Sequence, residues 1–143
     1  MDYLYLILVL PAVIFSLWAS IRVNTTFKKY SKIRSMRGIT GAEAARRVLD
    51  ANGLQHIRIE QIPGNLTDHY DPRSDVIRLS ESVYGNTSVA AVGVACHEAG
   101  HAVQHAENYA PVKIRAAIIP VTNIGSRLAI PLIILGILLN SLA

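Results

Sequence analysis

Hydrophobic positions are unevenly distributed. Charge-free runs lie near both ends and enclose a middle in which apolar and polar residues alternate with short periods. The first run, Tyr3 to Ile21, has 19 residues without a charge, close to the ~20 that a helix needs to cross a hydrocarbon core. Tyr3 and Tyr5 stand at one end and Trp18 near the other, as interfacial aromatics do. Pro11 falls mid-run, which membrane helices tolerate. A cleaved signal peptide would carry positive charge ahead of its apolar run. Here Asp2 precedes the run and the basic residues follow it. The pattern predicts an uncleaved transmembrane helix over residues 1–24.

The middle predicts four elements. Thr40-Gly41-Ala42-Glu43 has the T-x-x-E form of a capping box, which opens a helix by satisfying two free N–H groups reciprocally. Ala44, Ala45, Val48 and Leu49 continue it to Asn52-Gly53, a C-cap pair. Ile57, Ile59 and Gln61 alternate with Arg58, Glu60 and Ile62, the period of a strand. Pro63-Gly64-Asn65 ends it. Leu66 to Arg73 reads as a polar loop and Val76 to Leu79 as a second strand. Asn86, Thr87 or Ser88 can cap a long helix from about Val89 to Asn108. The order helix, strand, strand, helix defines an α+β unit, with the last helix covering a small sheet. This unit occupies residues 25–115.

Further on, Ala116 to Ser126 is charge-free and broken by Pro120 and Asn123. It is too short to span and reads as an interfacial or re-entrant piece. Leu128 to Ala143 is charge-free for 16 residues, about four short of a comfortable span. Residues 116–143 therefore read as a membrane-associated segment and the start of a second transmembrane helix, with the sequence ending inside it.

Composition agrees. Of 143 residues, 51% are hydrophobic and 17% charged, with a mean hydropathy of +0.32. Soluble domains average about 25% charged, so an integral membrane protein fits better than a free globule. Cys96 is the only cysteine, which excludes an intramolecular disulfide framework and a multi-cysteine zinc ribbon. The net charge is +4. Eight basic residues fall between Arg22 and Arg47, with Glu43 the only acid among them. Their place directly after a span matches the positive-inside rule and contact with anionic lipid heads, rather than a nucleic-acid partner. The N-terminus is then outside and Arg22 onward begins in the cytoplasm, where a lone reduced cysteine is at home.

The long helix carries His97-Glu98-Ala99-Gly100-His101, an H-E-x-x-H sequence. Residues four apart on a helix differ by about 40° and about 6 Å, so two imidazoles can converge on one metal. Glu98 lies beside them and can take a proton from a water that a zinc ion makes acidic. This is the layout of zinc-dependent peptide hydrolysis. Burying these three polar groups among alanines, valines and glycines without a metal would be costly. Gly93 and Gly100, seven apart, read as positions for close packing of a neighbouring helix or of substrate backbone.

A catalytic zinc needs three protein ligands and an open position, and the third is not evident. His105 continues the histidine stripe but lies ~12 Å along the axis from His97; it reads as a second-shell or surface residue. Glu107 points roughly 120° away from His101. His69, Asp68 and Asp71 lie in the loop between the strands and read as second-shell or cleft residues. Cys96, one residue before His97, reads as a small buried apolar group. The Val76–Leu79 strand is expected to offer an edge for an extended peptide, with the Asp68–Asp71 loop closing one side of the cleft.

Taken together, several stretches resemble the neutral zinc metallopeptidases of bacterial membranes. They are the N-terminal span with its basic flank, Thr40-Gly41-Ala42-Glu43-Ala44-Ala45, Leu66-Thr67-Asp68-His69-Tyr70-Asp71-Pro72, and His97-Glu98-Ala99-Gly100-His101-Ala102 with Gln104. The resemblance covers nearly the whole chain. It implies a zincin-like, gluzincin-type catalytic unit attached to transmembrane helices, with His97 and His101 as zinc ligands and Glu98 as general base. It also implies a longer, multi-pass protein of the cell (inner) membrane, whose later helices return to the cytoplasm and bring a glutamate as third ligand. The expectation is a membrane-bound Zn2+ endopeptidase acting on peptide or protein substrates at the cytoplasmic face. The rivals are a non-protease zinc hydrolase and a membrane scaffold with structural zinc. A deformylase-type site needs an upstream cysteine ligand, for which Cys96 is misplaced. A structural site needs four ligands.

Overall fold

A computed structural model describes residues 3–141, as a mixed structure of helices and one small sheet. The chain forms two compact units, one up to Val103 and one from Gln104. The first holds α1 (Tyr3–Tyr30), α2 (Gly41–Ala51), β1 (Arg58–Ile62), β2 (His69–Asp71), β3 (Val76–Ser80), α3 (Glu81–Tyr84) and most of α4 (Val89–Ala106). The second holds the end of α4 and α5 (Ala110–Ser141).

The α2 capping box forms as the sequence predicts. Glu43 N donates to Thr40 Oγ1 at 3.2 Å, and Thr40 N to Glu43 Oε2 at 2.8 Å. Ala44, Ala45 and Leu49 are the buried face of this helix. Gly41 is required by a close approach: a Cβ there would stand 2.4 Å from the Val83 carbonyl oxygen. Arg46 ties the end of α2 to the chain entering β1, donating to the Ile57 and Leu54 carbonyls at 2.7 and 2.9 Å and pairing with Asp50 at 2.8 Å.

The sheet has three strands in the order β1-β3-β2. β3 is central, parallel to β1 and antiparallel to β2. It is apolar on both faces, with Val76, Ile77, Leu79 and Ser80 fully buried, as a strand flanked on both sides must be. Two expectations change here. Val76–Leu79 is not an edge, because β2 covers it. The polar stretch around residue 70 is a strand rather than a loop. It was hard to see because three residues are too few to display a period of two.

One face of α4 is a stripe of small residues. Ala91, Ala95, Ala99 and Ala102 are all fully buried, packed with Leu49, Ile57, Ile77, Leu79 and Val83. Alanine lets the helix axis come close to the elements beneath and leaves His97 and His101 on the opposite side of the helix. Ser88 is the residue that caps α4, accepting from Ala91 N at 3.2 Å. Asn86 Oδ1 in turn accepts from Ser88 N at 2.8 Å. The neighbour expected at Gly93 and Gly100 is not found: among the described residues nothing stands within 4 Å of a Cβ built at either.

α1 continues to Tyr30, beyond the residue-24 boundary of the sequence reading. Its Val9–Tyr30 part has 22 residues and a mean hydropathy of 1.2. Asp2 lies outside the described residues, as does the Tyr5 side chain. In the second unit the expected break at Pro120 and Asn123 is absent, and α5 is one helix with Pro120 and Pro131 inside it. Prolines within a helix are tolerated in apolar spans of this kind, and Thr122 Oγ1 bonds back to the Ile119 carbonyl at 2.9 Å. Ala110–Leu139 gives 30 residues at a mean hydropathy of 1.8, about 45 Å of helix. Both helices are long and apolar enough to cross a membrane.

Candidate metal centre

The His97 and His101 rings lie on the exposed side of α4, one turn apart. Their Nε2 atoms are 3.1 Å from each other, and the ring planes meet at 76°. Two nitrogens each ~2.0–2.1 Å from a tetrahedral zinc would be ~3.3 Å apart. The pair therefore fits a zinc ion as two of its ligands. Among the described residues, no group of three His, Cys, Asp or Glu side chains stands close enough to hold a metal.

Glu98 is half-buried beside this pair, and its Oε2 accepts a hydrogen bond from Tyr70 N at 3.1 Å. The sheet register explains the donor. Tyr70 pairs with Ile77, but its N–H is given to Glu98, so this is a non-hydrogen-bonded pair whose N–H faces away from β3. The outward edge of β2 is thus joined to the glutamate of the H-E-x-x-H sequence.

The aspartates on either side pin this strand at both ends. Asp68 accepts from Ser80 N at 2.7 Å and from Ser80 Oγ at 3.1 and 3.0 Å. Asp71 accepts from Ser74 Oγ at 2.7 Å, Arg73 N at 3.0 Å and Arg78 Nη1 at 3.2 Å. Those donors, the Ser74 hydroxyl first, hold the Asp71 carboxyl down at about 2. These bonds of Asp68 and Asp71 go to β3 and the turn before it, not to the histidine pair. His69 is exposed, with Nδ1 2.9 Å from the Thr67 carbonyl. The Tyr70 hydroxyl donates to Asp75 Oδ1 at 3.1 Å. Burial, with Asp75 adding to it, pushes the Tyr70 phenol up to about 12. Cys96 is half-buried, and burial raises its thiol. His105 is exposed on the last turn of α4.

Sequence reasoning passed over Tyr70, because its part is played by a backbone N–H that any residue but proline supplies. The signal was positional: Tyr70 sits between the two aspartates of Asp68-His69-Tyr70-Asp71.

A sheet edge bonded to the glutamate of an H-E-x-x-H helix is an arrangement suited to a metallopeptidase. The chain belongs to the family described as "Putative neutral zinc metallopeptidase", which it matches over residues 5–143. It is 48% identical over 139 residues to a Bacillus subtilis (strain 168) protein named "Putative membrane protease YugP". That match takes in 97% of this chain and 62% of the Bacillus protein, so the chain spans less than two thirds of its relative's length. No solved structure matches it.

Proposed function

We propose that the chain carries the H-E-x-x-H part of a zinc-dependent endopeptidase anchored in the cell membrane, with its site at the cytoplasmic face. The observation that carries this reading is the convergence of His97 and His101 Nε2, with Glu98 beside them. The name of the Bacillus relative, a membrane protease, and the two long apolar helices support the membrane location. Residues 1–24 then anchor the chain, 25–115 form the peptidase core, and 116–143 return to the bilayer.

His97 and His101 would hold the zinc, joined by a third ligand. Zinc, when bound, supplies a Lewis acid that polarises the peptide carbonyl and makes water acidic. The protein's own residues do the rest. Glu98 takes the proton from the attacking water and passes it to the leaving amine. Tyr70 N–H holds the carboxylate in place between turnovers. The substrate lies extended along the outer edge of β2, where strand addition uses main-chain bonds. A proline at Val76 would break the central strand whatever the substrate does, so that edge is properly probed at β2.

The test is metal analysis together with casein hydrolysis, for the wild type and Glu98→Gln. Glu98→Gln should keep its zinc and lose activity by at least about 10²-fold. Bound zinc with hydrolysis indifferent to Glu98 would sink the proposal.

A further inference from the structure

Just beyond the last turn of α1, a cleft of about 440 Å³ is lined by Lys28, Ser31, Lys32, Asn65, Ser82 and Asn86, with Phe27 as a wall. No carboxylate lines it. Lys28 lies on the last turn of α1 and Lys32 in the turn two residues past its end, and both line the cleft. Both are exposed, and among the described residues neither has a carboxylate within 4.0 Å. Asn86 Oδ1 is occupied by Ser88 N, which leaves its Nδ2 as a donor. The Asp68 carboxylate is turned to Ser80, outside the lining. The Ser31 hydroxyl is given to the Phe27 carbonyl and the Ser82 hydroxyl meets Ser80 Oγ, so the cleft offers two positive charges with the Asn65 and Asn86 amides, the chemistry that holds a phosphate.

Its position selects the source of that phosphate. Val9–Tyr30 is the part of α1 able to cross a membrane, so Lys28 and Lys32 fall where the span meets water. Phe27 is shared with a second groove, of about 560 Å³, formed by Val23, Tyr30, Leu66, Val89 and Val94 among others. That groove is almost wholly apolar. A free phosphate would use only the first cleft. A phospholipid has a charged head and an acyl chain, and so matches both sides of Phe27.

We propose that this cleft binds the phosphate of an anionic membrane lipid, with an acyl chain against the apolar side of Phe27. Such a lipid would fix the end of α1 against α4 and so set how the H-E-x-x-H helix is presented to the membrane surface. The proposal rests on the membrane reading of α1 and not on peptide hydrolysis.

The test uses the whole chain purified in neutral detergent, with lipid binding followed by native mass spectrometry and thermal unfolding. Phosphatidylglycerol should stay bound and raise the melting temperature, while phosphatidylcholine and inorganic phosphate should do neither. Lys28→Gln with Lys32→Gln should weaken phosphatidylglycerol binding about thirtyfold, the effect of two near-membrane charges at ~1 kcal/mol each. Lys29→Gln with Arg37→Gln removes the same charge outside the cleft and should leave binding nearly unchanged. Equal losses in the two double variants, equal binding of phosphatidylcholine, or equal binding of inorganic phosphate would each overturn the proposal. Release of the chain from membranes without detergent would remove its premise, and carbonate extraction reads that separately.

Discussion

Tyr70 has one role for its backbone and another for its ring. The N–H reaches Glu98, while the hydroxyl reaches Asp75. Tyr70→Pro deletes the N–H on an edge strand, where proline is tolerated. It should reduce peptide hydrolysis by about 10²-fold, the scale of a misplaced general base, without loss of zinc. Tyr70→Phe keeps the N–H and should keep the activity. In an ultraviolet titration the wild type should show a tyrosine ionising near 12 that is missing from Tyr70→Phe. The neutral phenol is favoured in the fold, so its contribution to stability is present below the ordinary 10.0 and lost as pH rises through about 12. Asp71 has the opposite sign. Its carboxyl falls from 3.8 to about 2, so its contribution is full above pH 3.8 and disappears as pH falls through about 2. Melting temperatures across that window should converge for wild type and Asp71→Asn. A gap that stayed constant with pH would refute this assignment.

Among the elements, α4 depends on the smallness of its inner face. Ala95 and Ala99 are fully buried. Leucine at either position adds three carbons to a filled space and should destabilise the fold by about 1–3 kcal/mol, read by denaturant unfolding. Gly93 lies on the open side of the same helix with nothing within 4 Å of a Cβ. Gly93→Ala should therefore stabilise it by about 0.5–1 kcal/mol through backbone entropy. Opposite signs for small-to-larger changes on one helix would show which face bears the packing. α2 and α4 were legible in the sequence, because capping boxes, N-caps and alanine spacing are local signals. β2 was not, because its existence depends on Asp68 reaching Ser80 and Asp71 reaching Arg78, partners that lie twelve and seven residues away.

At the scale of the whole molecule, two apolar helices determine where the chemistry would take place. Residues such as Ile14, Leu17 and Trp18 on α1 and Ile133, Leu135 and Ile137 on α5 are all more than half exposed. Apolar surface of that extent needs a lipid phase or a partner. The chain should resist alkaline carbonate and leave membranes only with detergent. In intact cells a tag at the N-terminus should be open to an external protease, and one inserted at the exposed Gly53 turn should be protected, as the basic flank after α1 predicts.

By itself the sequence determined the local chemistry: the H-E-x-x-H helix, the α2 capping box, the charge-free ends and the basic flank. These rest on spacings of a few residues and on transfer energies of single side chains, which need no knowledge of the fold. Tertiary structure decided that β3 is central and β2 is the edge, that Pro120 does not divide α5, and that Tyr70 N–H reaches Glu98. Each of these depends on groups brought together across the sheet, or on a helix surviving a local breaker. A backbone N–H carries no mark in the sequence; only the register of the strand that bears it turns it toward Glu98.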